Sequence, residues 1–562
     1  MAKFKCHTKT VPKINTFVKL VSPYHYLAKY RKQLIVLQLL LCSIFESFGS
    51  KKCYSKVVVM LMLCWTTISI VLLLLLLAVI FRLLSRRSCN NGKCFIAFFH
   101  PYCNSGGGGE RVLWCAIKAL EKFENVEFII YSDDYECSDE DILKNVEKRF
   151  GLSFTASTVK FVRLASCFFL KDTLYPRFTL LAQNLFSLIV GLEALFRFQP
   201  SVFIDTTGFA FLLPMFRYVG GCKTACYIHY PTISTDMLEI VKEKKAAYNH
   251  AEWISNSVLF SAAKLYYYKA FALLYKFAGC STNVVMVNST WTRNHILELW
   301  RNPEYTFLVY PPCDVGIFEK IPFERANDAD SIGIIAIGQF RPEKDYPLAL
   351  ASFRLLLDKL AASNLNQKNV KLALVGGCRD SDDQQRLRSL QKLARDIGIP
   401  SDQIVWHVNV SFDELVELLA GATVGIHTMW NEHFGIGIVE MMASGIIVVA
   451  NDSGGPKLDI VKNFHTHKVG FTASSAEEYS DAIVKILQMP PNVRRRMQEA
   501  ARNSVQRFGV DKFNERFLSS TEDILAIENY LVNIFMNIQP SSSRLMSSLH
   551  SELAHGTTLA HS

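Results

Sequence analysis

The chain has 562 residues, half of them hydrophobic and a fifth charged, with a formal net charge of +10. That length exceeds one core, so two domains with appendages are expected, and the composition is hydrophobically rich for a soluble enzyme but poor for a polytopic transporter. The positive excess lies partly in the first 56 residues, beside an apolar run, which favours contact with anionic headgroups; no nucleic-acid motif is present.

Residues 1–56 form a basic extension, of which 1–50 carry no further signal. From 57 to 81 (VVVMLMLCWTTISIVLLLLLLAVIF) no charged residue occurs, long enough for a membrane-spanning helix, so 57–84 reads as a retained anchor; a buried core helix is the alternative. The flanking lysines and arginines nearly balance, with a slight bias towards a cytosolic C-terminal side. Fifteen cysteines without a CxxC pair suit reduced thiols. Sequons begin at Asn288, Asn409 and Asn451, two of them in segments assigned below to the active domain, which favours cytosolic placement.

Beyond the anchor, CFIAFF (94–99) reads as a buried strand and 110–123 as a helix. EFIIYS (127–132), VKFVRL (159–164), SVFID (201–205), TACYIHY (224–230) and VVMVNS (284–289) continue the series. The pattern restarts with IGIIAIG (332–338), KLALVGG (371–377), QIVWHV (403–408), TVGIH (423–427) and IIVVA (446–450). Apolar strands alternating with helical patterns define an α/β fold of two Rossmann-like domains, 94–312 and 331–510, with a Pro-rich and charged linker over 313–330. A C-terminal helix (511–537) and a Ser-rich disordered tail (538–562) follow. The segment 258–278 carries Lys264, Lys269 and Lys276 among apolar and aromatic residues; it is either an interfacial membrane helix or a core helix of the first domain.

The first strand runs into Gly106, Gly107, Gly108 and Gly109 and then a helix, a geometry suited to an anion because bare backbone and first-turn N–H groups can approach it. Glu110 and Arg111 replace the Lys-Ser/Thr of a P-loop, and Arg111 stands where a dinucleotide fingerprint needs its last glycine. A ligand loop at the carboxyl end of the first strand remains, with a purely structural turn as the alternative.

In the second half, NEHFGIGIVE (431–440) places Glu432 and Glu440 eight apart, between the strand TVGIH and the segment ending SGGP. Here the sequence resembles the retaining glycosyltransferases of the GT-B fold, with their E-x7-E motif. The resemblance implies a donor-sugar contact for Glu432, a ribose contact for Glu440, and donor binding at the helix start formed by Phe434, Gly435 and Ile436. It also implies cations for the leaving diphosphate: in GQFRPEK (338–344), Lys344 falls in place, whereas Gln339 holds the usual Arg position and Arg341, two further on, is the substitute. His229, ending the fifth strand, takes the family's strand-end histidine role near the donor sugar. Residues 406–408 match the region where the base stacks. No metal and no other cofactor are expected. Three DxD pairs (139/141, 328/330, 380/382) lie in the linker or before charged helices, where acids are ordinary.

Taken together, HPYCNSGGGGERVLWCAIKAL, YPTISTDML, VYPPCDV, GQFRPEKD, HTMWNEHFGIGIVEMMASG and SGGPKLDIV are similar to the asparagine-linked glycosylation α-1,2-mannosyltransferases of the endoplasmic reticulum. That resemblance implies transfer of mannose from GDP-mannose to a dolichol-diphosphate-linked oligosaccharide on the cytosolic face, with retention. Partner mannosyltransferases of the same pathway are implied as well. Two alternatives are a neighbouring mannosyltransferase making another linkage and an inactive membrane-tethered scaffold. The glycine loop faces either the diphosphate or the acceptor.

Overall fold

The computed structural model describes residues 93–123, 125–155, 158–175, 178–234, 258–324, 332–362 and 370–525, with only the helical backbone over 258–264. The expected anchor, basic extension, tail and Asp328/Asp330 pair lie outside the described residues.

Residues 94–308 build a seven-stranded sheet in the order β3-β2-β1-β4-β5-β6-β7, every pairing parallel. Its strands are β1 (Cys94–Phe99), β2 (Val126–Ser132), β3 (Val159–Arg163), β4 (Val202–Asp205), β5 (Lys223–Ile228), β6 (Val284–Val287) and β7 (Thr306–Leu308). β1 is apolar on both faces because helices cover both sides of a parallel sheet. Ala97 and Phe99 join one core with the helices Thr179–Arg197 and Val258–Cys280, while Ile96 and Phe98 join the other with Gly108–Leu120 and Asp139–Phe150.

The second sheet has the order β10-β9-β8-β11-β12-β13, again all parallel. Its strands are β8 (Ile332–Ile337), β9 (Val370–Gly376), β10 (Ile404–Val408), β11 (Ala422–His427), β12 (Ile447–Asn451) and β13 (Phe471–Ala473). Both orders reverse direction at one internal point, between β1 and β4 and between β8 and β11. In open α/β sheets, ligands bind beyond the carboxyl ends of the strands at such a point.

Three departures from the sequence reading have physical causes. β7 and β13 are three-residue edge strands, too short to show a period. The glycine-loop helix starts at Gly108, two residues earlier than expected, because Glu110 reaches back to the Gly107 N–H (2.6 Å) and closes the first turn in place of a side-chain cap. Residues 313–321 are packed rather than free linker: Cys313, Val315, Phe318 and Ile321 are buried in the second half's core. The Cys313 N–H also bonds the Phe508 carbonyl at 2.9 Å. The chain then crosses back, and the helix over 510–525 inserts Phe513, Phe517, Ile524 and Leu525 into the first half's core.

Candidate active site

His100 directly follows β1 and Thr206 directly follows β4, so the first switch point sets the two side by side. His100 Nδ1 lies 2.8 Å from the Thr206 hydroxyl, and its Nε2 lies 3.4 Å from Glu110 Oε1. Burial disfavours the Glu110 carboxylate, but the His100 hydrogen bond and charge outweigh it, so its pKa falls below the ordinary value. One carboxylate thereby ties the strand-end histidine to the glycine loop.

The loop needs its glycines for different reasons. Gly106 adopts φ +83, a left-handed conformation open to glycine. A Cβ on Gly109 would stand 3.7 Å from His229 Nε2 and 3.9 Å from His100. A Cβ on Gly108 would stand 3.0 Å from the Ile436 Cδ1 of the other half. Bare backbone therefore lets the N-terminus of one helix meet the N-terminus of the other.

His229 follows β5, and its carbonyl accepts the Asn288 side-chain N–H (2.8 Å). Its Nε2 is buried beside Gly109 and has no hydrogen-bond partner among the described residues. Burial, then the neighbouring His100, lowers its pKa to about 4, so the ring is neutral at physiological pH.

In the second half, β8 leads through Gly338 to Lys344, and β11 ends at His427. Lys344 Nζ lies 2.5 Å from Glu432 Oε2 and 3.3 Å from the Met429 sulfur. His427 Nε2 meets the same carboxylate oxygen at 3.2 Å. Burial opposes ionisation of Glu432, but the His427 hydrogen bond and the Lys344 charge prevail and hold it far below the usual carboxylate range. The carbonyl of His427 accepts the Tyr479 hydroxyl, and that of Lys344 accepts the Thr428 hydroxyl (both 2.8 Å).

Backbone packing fixes the loop that carries Glu432. Gly455 N–H donates to the Glu432 carbonyl at 2.8 Å. A Cβ on Gly454 would stand 2.3 Å from that carbonyl oxygen, so only glycine fits this turn. Gly435 (φ +107) then opens the helix Ile436–Ala443, whose N-terminus has no side-chain cap. The Ile438 and Val439 N–H groups turn back to the Gly435 carbonyl, so among the described residues the Ile436 and Gly437 N–H groups are the ones left for a ligand's oxygens.

Glu440, on that helix, feels Arg111 and Asp314, themselves paired at 3.1 Å. Burial raises the Glu440 pKa and Arg111 opposes the rise. Glu432, Lys344, Gly435, Ile436, Gly108, Gly109 and His229 thus lie along one path of contacts between the halves. The other expected residues are placed differently. Arg341 is directed to Glu343 (3.6 Å) rather than to Glu432, because the Pro342–Lys344 turn carries the two side chains apart. The Phe434 ring is buried between Tyr310 (5.7 Å) and Phe508 (5.1 Å), which leaves only its backbone for a ligand. Gly106 faces Arg149, and Gly107 faces Glu110. Of the DxD pairs, Asp139 and Asp141 sit in a helix first turn and Asp380 caps the next helix.

Sequence reasoning missed His427, His100, Glu110 and His433. His427 ends a strand just as His229 does, a signal that was available. His433 was not legible, since its neighbours come from elsewhere: Tyr230 (4.3 Å between ring centroids) and Trp291 (5.3 Å) of the first half.

Two parallel Rossmann-type sheets with glycine-bounded helix starts at facing switch points define a GT-B-like glycosyltransferase. Solved structures share this fold at low identity: Anabaena HepE with UDP and glucose (TM-score 0.52, 16% identity, 76% of this chain and 100% of that one) and Thermosynechococcus elongatus sucrose-phosphate synthase (TM-score 0.56, 15%, 77% and 100%). Residues 317–504 match the family of glycosyl transferases group 1, and residues 93–300 match the family described as ALG11 mannosyltransferase N-terminus. Curated relatives named GDP-Man:Man(3)GlcNAc(2)-PP-Dol alpha-1,2-mannosyltransferase include those of Xenopus tropicalis (48% identical, 77% of this chain and 88% of that protein) and Homo sapiens (45%, 79% and 89%). The Dictyostelium discoideum relative is 42% identical over 76% of this chain and 85% of its own length. The chain belongs to the ALG11 mannosyltransferase family and is a mannosyltransferase enzyme.

Proposed function

We propose that this chain transfers mannose from GDP-mannose, in α-1,2 linkage, to a dolichol-diphosphate-linked trimannosyl acceptor and onward to the pentamannosyl product. The observation that carries the reading is the meeting of two helix N-termini, at Gly108 and Ile436, beside the Lys344–Glu432 pair. A diphosphate placed there receives backbone N–H groups from both halves and the Lys344 charge, so the glycine loop serves the donor diphosphate.

In the proposed reaction Lys344 and the helix N-termini stabilise charge growing on the departing GDP, without a metal ion. Lys344 must then share its charge between Glu432 and the diphosphate. Glu432 turns towards donor-sugar hydroxyls, Glu440 accepts from the ribose diol, and neutral His229 offers a ring nitrogen at the sugar. Arg341 swings from Glu343 to the phosphate only if its loop rearranges. Retention follows from acceptor attack on the face that GDP leaves, the leaving diphosphate taking the acceptor's proton. Closure of the halves keeps water from the donor.

The acceptor places the enzyme at the endoplasmic reticulum membrane, with residues 57–84 as a single-pass anchor, the catalytic domains cytosolic and other mannosyltransferases of the pathway as partners. Asn288 and Asn451 support that side, since both are buried in the fold, where a glycan attached in the lumen would have no room. The test incubates detergent-solubilised protein with GDP-mannose and the lipid-linked trimannosyl acceptor, then digests the product with an α-1,2-specific mannosidase. Mannosidase-sensitive product supports the reading; resistant product, or transfer only from another nucleotide sugar, overturns it.

A further inference from the structure

Two histidines of the first half, His100 after β1 and His229 after β5, stand on either side of β4, and the residue that follows β4 touches both. Thr206 places its hydroxyl 2.8 Å from His100 Nδ1, and its backbone is hydrogen-bonded to the His229 ring. His229 Nε2 has no partner among the described residues, so the bond to Thr206 belongs to Nδ1. That bond favours the protonated ring, as a carbonyl acceptor does and an N–H donor does not. Nδ1–H therefore donates to the Thr206 carbonyl. A neutral ring with its one N–H committed in this way keeps a lone pair on Nε2.

His100 is oriented differently. The Thr206 hydroxyl gives its hydrogen to the Phe99 carbonyl (3.1 Å), so its oxygen accepts from His100 Nδ1. His100 Nε2 faces Glu110 Oε1 at 3.4 Å, and the other Glu110 oxygen takes the Gly107 N–H at 2.6 Å. A proton entering this pair of histidines on acidification is better placed on His100, whose Nε2 meets a carboxylate, than on His229, whose Nε2 meets none. Once there, its charge opposes a second charge on His229.

The remaining groups around His229 do not reverse that order. Tyr227 packs on its ring (4.9 Å between centroids) but gives its hydroxyl to the Val309 carbonyl at 2.8 Å. His433, from the second half, also opposes a charge there, and Glu110 is the group that attracts one. Burial and then His100 outweigh Glu110, which is why the pKa falls to about 4. The His229 Nε2 and the His100 Cε1 border one space over the bare Gly109 Cα, 3.7 and 3.9 Å from where a Cβ would stand. A buried lone pair without a partner is costly until a donor reaches it, and a ligand hydroxyl is such a donor.

We propose that Thr206 and His100 are positioning residues that hold His229 as the neutral ring protonated on Nδ1, so that Nε2 accepts a hydrogen bond from a sugar hydroxyl in the cleft. Thr206 sets which nitrogen carries the hydrogen, and His100, with Glu110 as its counter-charge, takes the proton that would otherwise silence Nε2. The proposal rests on the transfer reading for the owner of that hydroxyl, the donor sugar, and not for the state of the ring.

The first measurement needs neither donor nor acceptor, so its failure is separable from failure of the transfer reading. Nitrogen NMR of the full chain labelled with [15N]histidine identifies the His229 signals by their loss in His229→Asn. A protonated Nδ1 and an unprotonated Nε2 are expected from pH 7 down to about pH 5, above the lowered pKa. In His100→Gln, which keeps the polar contacts but not the charge, His229 should titrate about one pH unit higher. In the transfer assay the acid limb of kcat should move upward by the same amount, a shift that a merely structural role for His100 would not produce. Should His100→Gln fold poorly, the nitrogen signals of the unaltered chain decide. A hydrogen on Nε2 in place of Nδ1, a His229 ring already charged at pH 6, or a titration and an acid limb unmoved in His100→Gln would overturn the proposal.

Discussion

Lys344, Glu432 and His427 form a close polar cluster at the strand ends of the second half, and removing one member tests each role separately. Lys344→Ala should lower the transfer rate by about 10²- to 10³-fold, the usual cost of one charge-stabilising group, while circular dichroism stays native. A rate within a few-fold of the unaltered protein would dismiss Lys344 from the reaction. Acid stability follows from the same residues. His229 and His433 have their pKa lowered to about 4, in both cases chiefly by burial, so the unfolded chain binds more protons between pH 6.5 and 4. Stability is fully present above pH 6.5 and is lost as pH falls, by up to about 1.4 kcal/mol per pH unit for each histidine. Glu432, held far below 4.5, adds a loss that begins only as pH falls through 4.5. Urea midpoints measured from pH 7 to 4.5 should decline, and His433→Gln should flatten the decline. An unchanged slope in that variant would contradict the neutral-ring assignment.

At the scale of elements, two helix starts and one turn do the positioning. Gly108→Val drives branched methyls into Ile436 and should weaken GDP binding and transfer together; Ile436→Ala in the same chain should restore part of both, as measured by calorimetry and rate. Gly454→Ala forces a Cβ onto the Glu432 carbonyl at φ +57, which should cost on the order of 1–3 kcal/mol and lower the thermal midpoint. The central strands were legible because they are long, apolar and buried on both faces, and CFIAFF and TVGIH stand almost where their sequences put them. The edge strands TFL and FTA were not, being too short for any period. Glu432 and Lys344 were legible through their motifs. The Arg341–Glu343 pairing was not, since it depends on how the Pro342 turn directs two neighbouring side chains. Likewise, Phe434 stood in a binding motif, but tertiary packing against Tyr310 and Phe508 claimed its ring.

Across the whole molecule, the halves are joined by residues distant in sequence. Asp459 accepts from Thr290 N–H (2.9 Å) and from the Tyr310 hydroxyl (2.9 Å), while Arg111 reaches Asp314 beside Glu440. Arg111 restrains the burial-driven rise of the Glu440 pKa. Arg111→Met should therefore raise it further, and GDP affinity should fall at a higher pH on acidification than in the unaltered protein. A superimposable pH profile of binding would separate Arg111 from the ribose site. The account as a whole rests on a donor held between two helix N-termini, one from each half. Its most direct test is an experimental structure of the GDP complex. The account predicts the diphosphate between Gly108 and Ile436, within hydrogen-bond distance of backbone N–H groups and of Lys344, with the ribose hydroxyls on Glu440; a diphosphate bound away from both helix starts would contradict it.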